Sequence, residues 1–286
     1  MTTFTQSTPV RPTGSGVGEL LREWRRRRGL SQLELALRAD SAARHISFVE
    51  TGRSRPSETM IMRLADQLDV PVRDRNVLLV AAGYAPVYHE SSWDAPDHAD
   101  LRASLERLLT AYEPYPALVV DGSYTVLAAN RGIGLLIDGL PERLVAPPLN
   151  ALRLALHPEG LASRTLNLAE WREHLLEQIR RQISQTGSPV LAELHEEVAG
   201  YPPPAHPAAP PAADADVAGV DRSLPGPSSP CVALPLRMSV RGRELSFISS
   251  IATFNTPLSV TVAELAVETF LPADPETADH LRELLG

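Results

Sequence analysis

The sequence predicts an N-terminal all-α domain of five short helices and a C-terminal α+β domain with a five-stranded antiparallel sheet. Three observations support this fold class. Helical periodicity continues from residue 17 to residue 84. The later part of the chain then contains two strands, several helices and three strands, in that order. Finally, 43% of the 286 residues are hydrophobic, which is enough for two cores.

Five helices are expected in the first domain because each has a start or stop signal. These signals are Gly29 after the first helix, Ser31 with Glu34 as a capping box, Gly52, the N-cap Ser57 and the helix-opening Pro71. In the fifth helix we expect Val77, Leu78 and Ala81 to face the core. The predicted boundaries are a disordered tail at 1–16, a helical domain at 17–86 and a linker at 87–99.

The second domain is predicted at 100–286, with a mobile Pro/Ala-rich insertion at 200–230. A hairpin is expected around Asp121-Gly122, and a long helix around Trp171, because apolar residues recur there about every four positions. Three strands should follow: one over Val232 to Val240, where every second residue is apolar, one over Leu245 to Phe254 and one over Leu265 to Phe270. Such a sheet, covered by helices on one face, commonly encloses a ligand cavity.

Charge is distributed unevenly between the two domains. Residues 1–88 contain 13 Arg and 9 acidic residues, which gives +4, whereas residues 89–286 contain 14 Arg and 26 acidic residues, which gives −12. The only basic segment therefore coincides with the helical domain, where it would suit a nucleic acid. There is no apolar run of about 20 residues, no signal-like start and a single cysteine, Cys231, so we expect a cytoplasmic protein with no membrane segment.

The third predicted helix has one apolar side and one polar side. Helical spacing places Ile46, Val49 and Glu50 inward. The outward residues are Arg44, Phe48 and Thr51, flanked by His45 and Ser47. Arg44 could bind the O6 and N7 atoms of guanine in a major groove, and Phe48 or Thr51 could contact a thymine methyl group.

Four further residues near this helix are candidates for phosphate contacts, which would fix register on the DNA rather than read sequence. They are Gln32, Arg53, Arg55 and Ser57. The plainer interpretation is that these side chains are simply solvated. The capping box, turn, glycine and basic loop all fall in register, however, which favours a helix-turn-helix that binds double-stranded DNA.

This segment resembles the XRE family of bacterial helix-turn-helix regulators, which are related to phage repressors, and the resemblance implies a lambda-repressor-like domain. The matching positions are Ser31-Gln32, Leu35-Ala36, Ile46-Ser47 and Glu50-Thr51-Gly52. The turn departs from the usual Ala-Gly-Val-Ser and reads Ala39-Asp40-Ser41-Ala42. Asp40 can adopt the left-handed turn conformation, but the usual N-cap hydroxyl at position 42 is lost unless Ser41 replaces it.

The resemblance extends to regulators with an MmyB-like ligand-binding domain. It rests on Asn76 to Pro86, Tyr115-Pro116-Ala117, Ala129-Asn130-Arg131, His157-Pro158, Leu168-Ala169-Glu170-Trp171-Arg172 and Thr253-Phe254-Asn255-Thr256-Pro257. It implies a PAS-like second domain that senses a small molecule. We expect a homodimer on a two-fold-related operator.

The predicted strands and facing helices are mostly aliphatic, so we expect an apolar, fatty-acid-like ligand. Candidate head-group contacts are Asn130, Arg131, His157, Arg172 and His174, and candidate aromatic contacts are Trp171, Phe247 and Phe254. Each polar candidate could instead have a surface or structural role, and Asn130 could equally cap a helix.

Catalytic alternatives find little support in the sequence. There is no His-Glu-x-x-His zinc motif, no cysteine pair for zinc and no phosphate-binding loop, since the chain contains no lysine. We therefore expect neither an enzyme nor a cofactor or metal. The main alternative is an interaction or sensory module whose helical domain docks another protein, and a gel shift on the upstream region of its own gene would distinguish the two.

Overall fold

The computed structural model describes residues 16–208, 234–254 and 259–286. Nearly all of the predicted tail, residues 209–230 of the predicted insertion, Cys231 and the motif residues Asn255, Thr256 and Pro257 lie outside these ranges. The chain divides into two compact units, one ending at His89 and the other beginning at Glu90. Residues 90–99, which were predicted as linker, thus belong to the second unit.

Five helices form the described part of the first unit, as predicted. They are α1 (Val17–Arg27), α2 (Gln32–Arg38), α3 (Ala43–Glu50), α4 (Glu58–Gln67) and α5 (Val72–Ala81). The capping box is present, because the Ser31 side chain accepts a hydrogen bond from the Glu34 backbone while the Glu34 carboxylate accepts one from the Ser31 backbone. Asp40 occupies the left-handed conformation with φ 47°, and α3 begins after Ala42 with no side-chain cap.

The core of the first unit contains apolar residues from α1 to α4, among them Leu21, Ile46 and Ile61. The predicted inward face of α5 is confirmed at Leu78 and wrong at Ala81. Leu78, Leu79 and Ala82 are buried, whereas Val77 is half-buried and Ala81 is exposed. Residues 77–82 are all apolar, so periodicity along the sequence does not single out one face. Packing against the other helices decides which side turns inward.

The second unit has helices before, between and after its strands. They are α6 (Ala99–Tyr112), α7 (Arg131–Ile137), α8 (Glu142–Val145), α9 (Ala151–Leu156), α10 (Leu168–Thr186), α11 (Pro189–Ala199), α12 (Val260–Ala263) and α13 (Pro275–Leu285). Short 3-10 helices lie at Pro96–His98 and Leu161–Arg164.

The five predicted strands form one antiparallel sheet. They are β1 (Ala117–Val120), β2 (Val126–Ala129), β3 (Leu236–Val240), β4 (Arg243–Thr253) and β5 (Ala266–Pro272), in the spatial order β2-β1-β5-β4-β3. The central strand β5 pairs with β1, where Glu268 lies opposite Leu118, and with β4, where it lies opposite Ile251. The PAS-like fold class, with two strands before the helices and three after them, is thus confirmed.

The two faces of this sheet pack against different groups of residues. Ala117, Val119 and Val267 pack with Leu105 and Leu109 of α6. On the other face, residues from β3 and β4 pack with α7, α9, α10 and α11 in the largest core cluster of the described part of the second unit. This second face is the one that carries the cavity described below.

Candidate DNA interface and ligand cavity

The outer side of α3 carries a cluster of one aromatic ring and two arginines. The guanidinium carbon of Arg44 lies 5.2 Å from the centre of the Phe48 ring, and that of Arg53 lies 5.9 Å from it. Both distances suit a cation–π contact. Arg44 and Arg53 are exposed and Phe48 is half-buried. We call Arg44, Phe48 and Arg53 the α3 basic cluster.

The positive charge of the α3 basic cluster is not neutralised within the described residues. Neither Arg44 nor Arg53 forms an ion pair with a described carboxylate, although many other arginines do so. An exposed guanidinium without an acidic partner is available to a guanine edge or a phosphate. The cluster can therefore present two cations and an apolar ring to a duplex.

The inner side of α3 is held by the carboxylate of Glu50, which is only 3% exposed. Arg25 donates from Nε to Oε1 at 2.6 Å and from Nη2 to Oε2 at 2.9 Å. Gln32 donates to Oε2 at 2.9 Å, and Arg22 Nη2 donates to the Glu50 carbonyl at 2.9 Å. Glu50 thereby links α3 to α1 and α2, and this network fixes the direction in which the α3 basic cluster points.

The pKa of Glu50 reflects this network. Burial raises the pKa of the carboxyl, but hydrogen bonds from Arg25 and Gln32, together with the nearby charges of Arg25 and Arg22, outweigh burial and lower it overall. The carboxylate is therefore charged at neutral pH and bound to two cations. Its partner Arg25 was not among the residues singled out from the sequence. A buried acid in α3 is the signal that could have assigned Arg25, because such an acid needs a cation.

The remaining predicted DNA contacts are placed differently. Arg55 donates through Nε and Nη2 to the Ala82 carbonyl, at 3.0 and 2.7 Å, and stacks on Tyr84 at 5.1 Å. Its side chain thus ties the loop after α3 to the end of α5. Ser57 caps α4 by accepting a hydrogen bond from the Met60 backbone, although the residue itself is exposed.

The other predicted contacts lie on or beside α3. The hydroxyl of the exposed Thr51 donates to the Ser47 carbonyl at 2.7 Å, which satisfies the end of the helix. Ser47 and His45 are half-buried on the flanks. The Gln32 amide is bound to Glu50, so it shares its hydrogen-bonding capacity with the interior.

The second unit contains a cavity of about 80 Å³ between the sheet and the helices. Its described lining is dominated by aliphatic side chains from β1, β2, β3, α7, α9 and α10, among them Leu118, Val126, Leu236, Leu136, Leu152 and Leu175. Ligand pockets usually span about 300–1,000 Å³. Binding of a larger ligand therefore requires the lining side chains to move.

Four polar residues line the cavity: Tyr124, Thr165, Gln178 and Glu268. The Thr165 hydroxyl donates to the Leu161 carbonyl at 2.9 Å, and the Tyr124 hydroxyl donates to Gln182 Oε1 at 2.8 Å. Burial raises the pKa of Tyr124, a side-chain hydrogen bond with Gln178 acts in the opposite direction, and the nearby Glu268 charge raises it further. Tyr124, Gln178 and Glu268 therefore form one polar end of an otherwise apolar space.

Glu268 differs from Glu50 in its surroundings. Among the described residues, its carboxylate accepts one hydrogen bond, from the Ser249 hydroxyl to Oε1 at 2.8 Å. Burial raises the pKa of the Glu268 carboxyl, and the Ser249 hydrogen bond offsets only part of that increase. No arginine or histidine is among the described residues that line the cavity.

Of the predicted ligand contacts, Trp171 lines the cavity. Phe247 is fully buried and meets the lining residue Phe270 edge-on, with ring centres 6.4 Å apart. His174 stacks on Trp171 at 5.3 Å but lies in an open groove on the surface of α10. Phe254 is exposed just before the undescribed residues 255–258.

The structure places the other candidates away from the cavity. Asn130 is buried and caps α7, accepting from Ile133 and Ala117 and donating to the carbonyls of Leu109 and Tyr115. Three further side chains are committed to local contacts: Arg131 with Glu113, His157 with the Glu159 backbone and Tyr201, and Arg172 with the Ala199 carbonyl.

Sequence reasoning missed Tyr124, Gln178 and Glu268 as cavity residues. A signal for two of them exists. Glu268 is in phase with Ala266 and Phe270 along β5, and Gln178 lies one and two helical turns after Leu175 and Trp171. A polar residue in phase with a buried apolar series is a candidate for a ligand contact.

Comparison with known families agrees with both units. The model of the MmyB-like transcription regulator ligand binding domain matches residues 101–284, which is more than half of the chain. The chain belongs to this MmyB-like family. A Helix-turn-helix family model matches residues 21–74, so the MmyB-like regulator combines a DNA-binding domain with a ligand-binding domain. A sequence search of curated proteins finds no match.

The described residues of this MmyB-like regulator contain neither a metal-binding cluster nor a membrane-spanning helix. No group of three or more His, Cys, Asp or Glu side chains there is arranged to hold a metal ion. In the same part of the chain, no helix combines the length and apolar character that a membrane crossing requires.

Proposed function

We propose that this MmyB-like regulator acts in the cytoplasm as a homodimer that reads a two-fold-related operator through α3 and changes its DNA binding when a small apolar ligand enters the second domain. The observation that carries the DNA half is the α3 basic cluster, whose two arginines are exposed and form no ion pair with a described carboxylate. The Glu50 network supports it by fixing α3 against α1 and α2.

Arg44 is assigned to base reading and Arg53 to phosphate contact. The reason is their position, since Arg44 is in the first turn of α3 whereas Arg53 follows the helix. The N-terminal residues of a recognition helix reach base edges, and flanking basic residues contact the backbone.

Arg44→Ala should weaken binding to a selected operator by about 1–3 kcal/mol while changing random-duplex binding much less. Arg53→Ala should weaken both and reduce the salt dependence of binding. Fluorescence anisotropy with both duplexes at two salt concentrations measures this. Arg181→Ala, an exposed arginine of α10, is the matched control. Equal losses on both duplexes for Arg44→Ala would refute base reading, and failure of the native protein to bind any duplex would favour the protein-docking alternative.

The aliphatic lining of the cavity supports the ligand half of the proposal. A fatty-acid-like molecule satisfies the apolar requirement, but its carboxylate would find no described cation in the lining. The acyl-chain part of the prediction is therefore better supported than the acidic head group.

Native mass spectrometry of the full chain, purified from a heterologous host, should detect a co-purified ligand of low polarity. Trp171→Ala, which alters the cavity lining, should change the bound fraction, whereas Arg181→Ala should not. An unliganded protein that also fails to take up added aliphatic compounds would remove the sensing role.

A further inference from the structure

One end of the cavity in the second unit is lined by polar side chains. Glu268 lies on the central strand β5, paired on one side with Leu118 and on the other with Ile251, and its side chain lines the cavity. A carboxylate surrounded by aliphatic groups is costly to bury without a partner. Among the described residues its hydrogen-bonding partner is the Ser249 hydroxyl, which binds one of its two oxygens.

The described polar residues that line the cavity with Glu268 are uncharged, so none of them supplies a cation to its carboxylate. The Tyr124 hydroxyl already donates to Gln182, and Gln178, which also lines the cavity, has an uncharged amide. An ionised carboxylate can accept about four hydrogen bonds through its two oxygens. Among the described residues, the other oxygen of this half-buried carboxylate has no hydrogen-bond donor, so it can accept from a ligand that enters the cavity.

We propose that Glu268 binds a hydrogen-bond-donating head group, a hydroxyl or a protonated amine, on a short aliphatic ligand. This inference rests on the proposed ligand-sensing function and names the chemistry at its polar end. A carboxylate head group is disfavoured because it would bring a second negative charge beside Glu268 with no described cation to offset it.

The electrostatics of the site agree with this geometry. Burial raises the pKa of Glu268, so the charged form of this carboxyl gains from any added hydrogen-bond donor or cation. A protonated amine would stabilise the carboxylate as an ion pair, and a hydroxyl would supply one of its missing hydrogen bonds. Gln178, which also lines the cavity, is placed to assist at the same end.

The test uses the full-length protein and three eight-carbon probes that differ only in head group: 1-octanol, octylamine and octanoate. Binding is measured by isothermal titration calorimetry for the native chain, for Glu268→Gln and for the control Glu173→Gln. Glu173 is an exposed residue of α10 outside this cavity. Octanol and octylamine separate a neutral donor from a cationic one.

The native chain should bind octanol, octylamine or both at least about tenfold more tightly than octanoate, a difference of about 1.4 kcal/mol. Glu268→Gln should remove most of this preference, because an amide carries no charge and can also donate. Glu173→Gln should keep it. Octanoate binding as tightly as both other probes, or an undiminished preference in Glu268→Gln, would overturn the assignment while leaving ligand sensing intact. If no probe binds, the proposed ligand function fails, and this inference fails with it.

Discussion

Each domain packs one glutamate against its interior, and the two carboxylates have opposite surroundings: Glu50 is 3% exposed, whereas Glu268 is half-buried beside the cavity. Glu50 meets two guanidinium groups and an amide, and its pKa is lowered. Glu268 meets one hydroxyl and an apolar cavity, and its pKa is raised. The comparison indicates that the first carboxylate is a structural link, whereas the second still has hydrogen-bonding capacity to offer a ligand.

This difference also separates what each domain must do. The first domain has to hold α3 in one orientation, because base contacts tolerate little displacement. The fully paired Glu50 network provides that rigidity. The second domain has to admit a ligand, and a buried group without enough partners becomes more favourable when the ligand supplies them.

The largest effect should come from breaking the Glu50 network. Glu50→Gln leaves the guanidinium of Arg25, whose side chain is 11% exposed, without its charged partner, so the first domain should lose about 3–5 kcal/mol of stability. Hydrogen exchange of peptides from α1 to α3 measures the loss. Glu23→Gln is the control, since its ion pair with Arg27 is exposed at the Glu23 end and should contribute less than about 1 kcal/mol.

If Glu50→Gln and Glu23→Gln prove equally mild, the network does not hold α3 in place, and the contrast between Glu50 and Glu268 disappears. Glu50→Gln should also weaken operator binding, because the α3 basic cluster would lose its fixed direction.

Replacing Glu268 should change stability by a smaller amount and in the opposite direction, as a gain. At about pH 7.5, Glu268→Gln should stabilise the second domain by about 1–3 kcal/mol, because it removes a poorly solvated charge. A raised pKa in the folded state means that the native carboxyl contributes stability below its unfolded pKa and loses it as pH rises through the folded value. The advantage of the variant should therefore shrink toward about pH 4.5.

Thermal unfolding at the two pH values, with Glu173→Gln as the control, measures this change. The first domain should respond in the other direction, since the lowered pKa of Glu50 makes its contribution fall on acidification. Destabilisation by Glu268→Gln at neutral pH would mean that the carboxylate already has adequate partners without a ligand.

Much of the fold could be predicted because local signals agreed with one another. The Ser31 capping box, the left-handed Asp40 and the alternation along β3 all act over a few residues, and all are present. The face of α5 could not be predicted, because residues 77–82 are apolar throughout and local sequence does not favour one side.

Local sequence predicts the residues of the candidate sites less well than it predicts the fold. The outward position of Arg44 on α3 follows from helical spacing around Ile46, Val49 and Glu50, which are buried as predicted. For the ligand site, sequence reasoning selected cationic and aromatic residues by type. The structure instead brings Tyr124, Gln178 and Glu268 together from a loop, a helix and a strand that are far apart along the chain.

The order of residues by itself determined the two domains, the five helices, the number and sequence of strands, and the side of α3 that faces outward. These features depend on periods of two or about 3.6 residues and on caps, which a short segment contains in full. Only tertiary structure decided that Arg25 would neutralise Glu50 and that Glu268 would face a cavity without a described cation. The charge state and role of a carboxylate depend on groups brought close by folding, and no local period encodes that proximity.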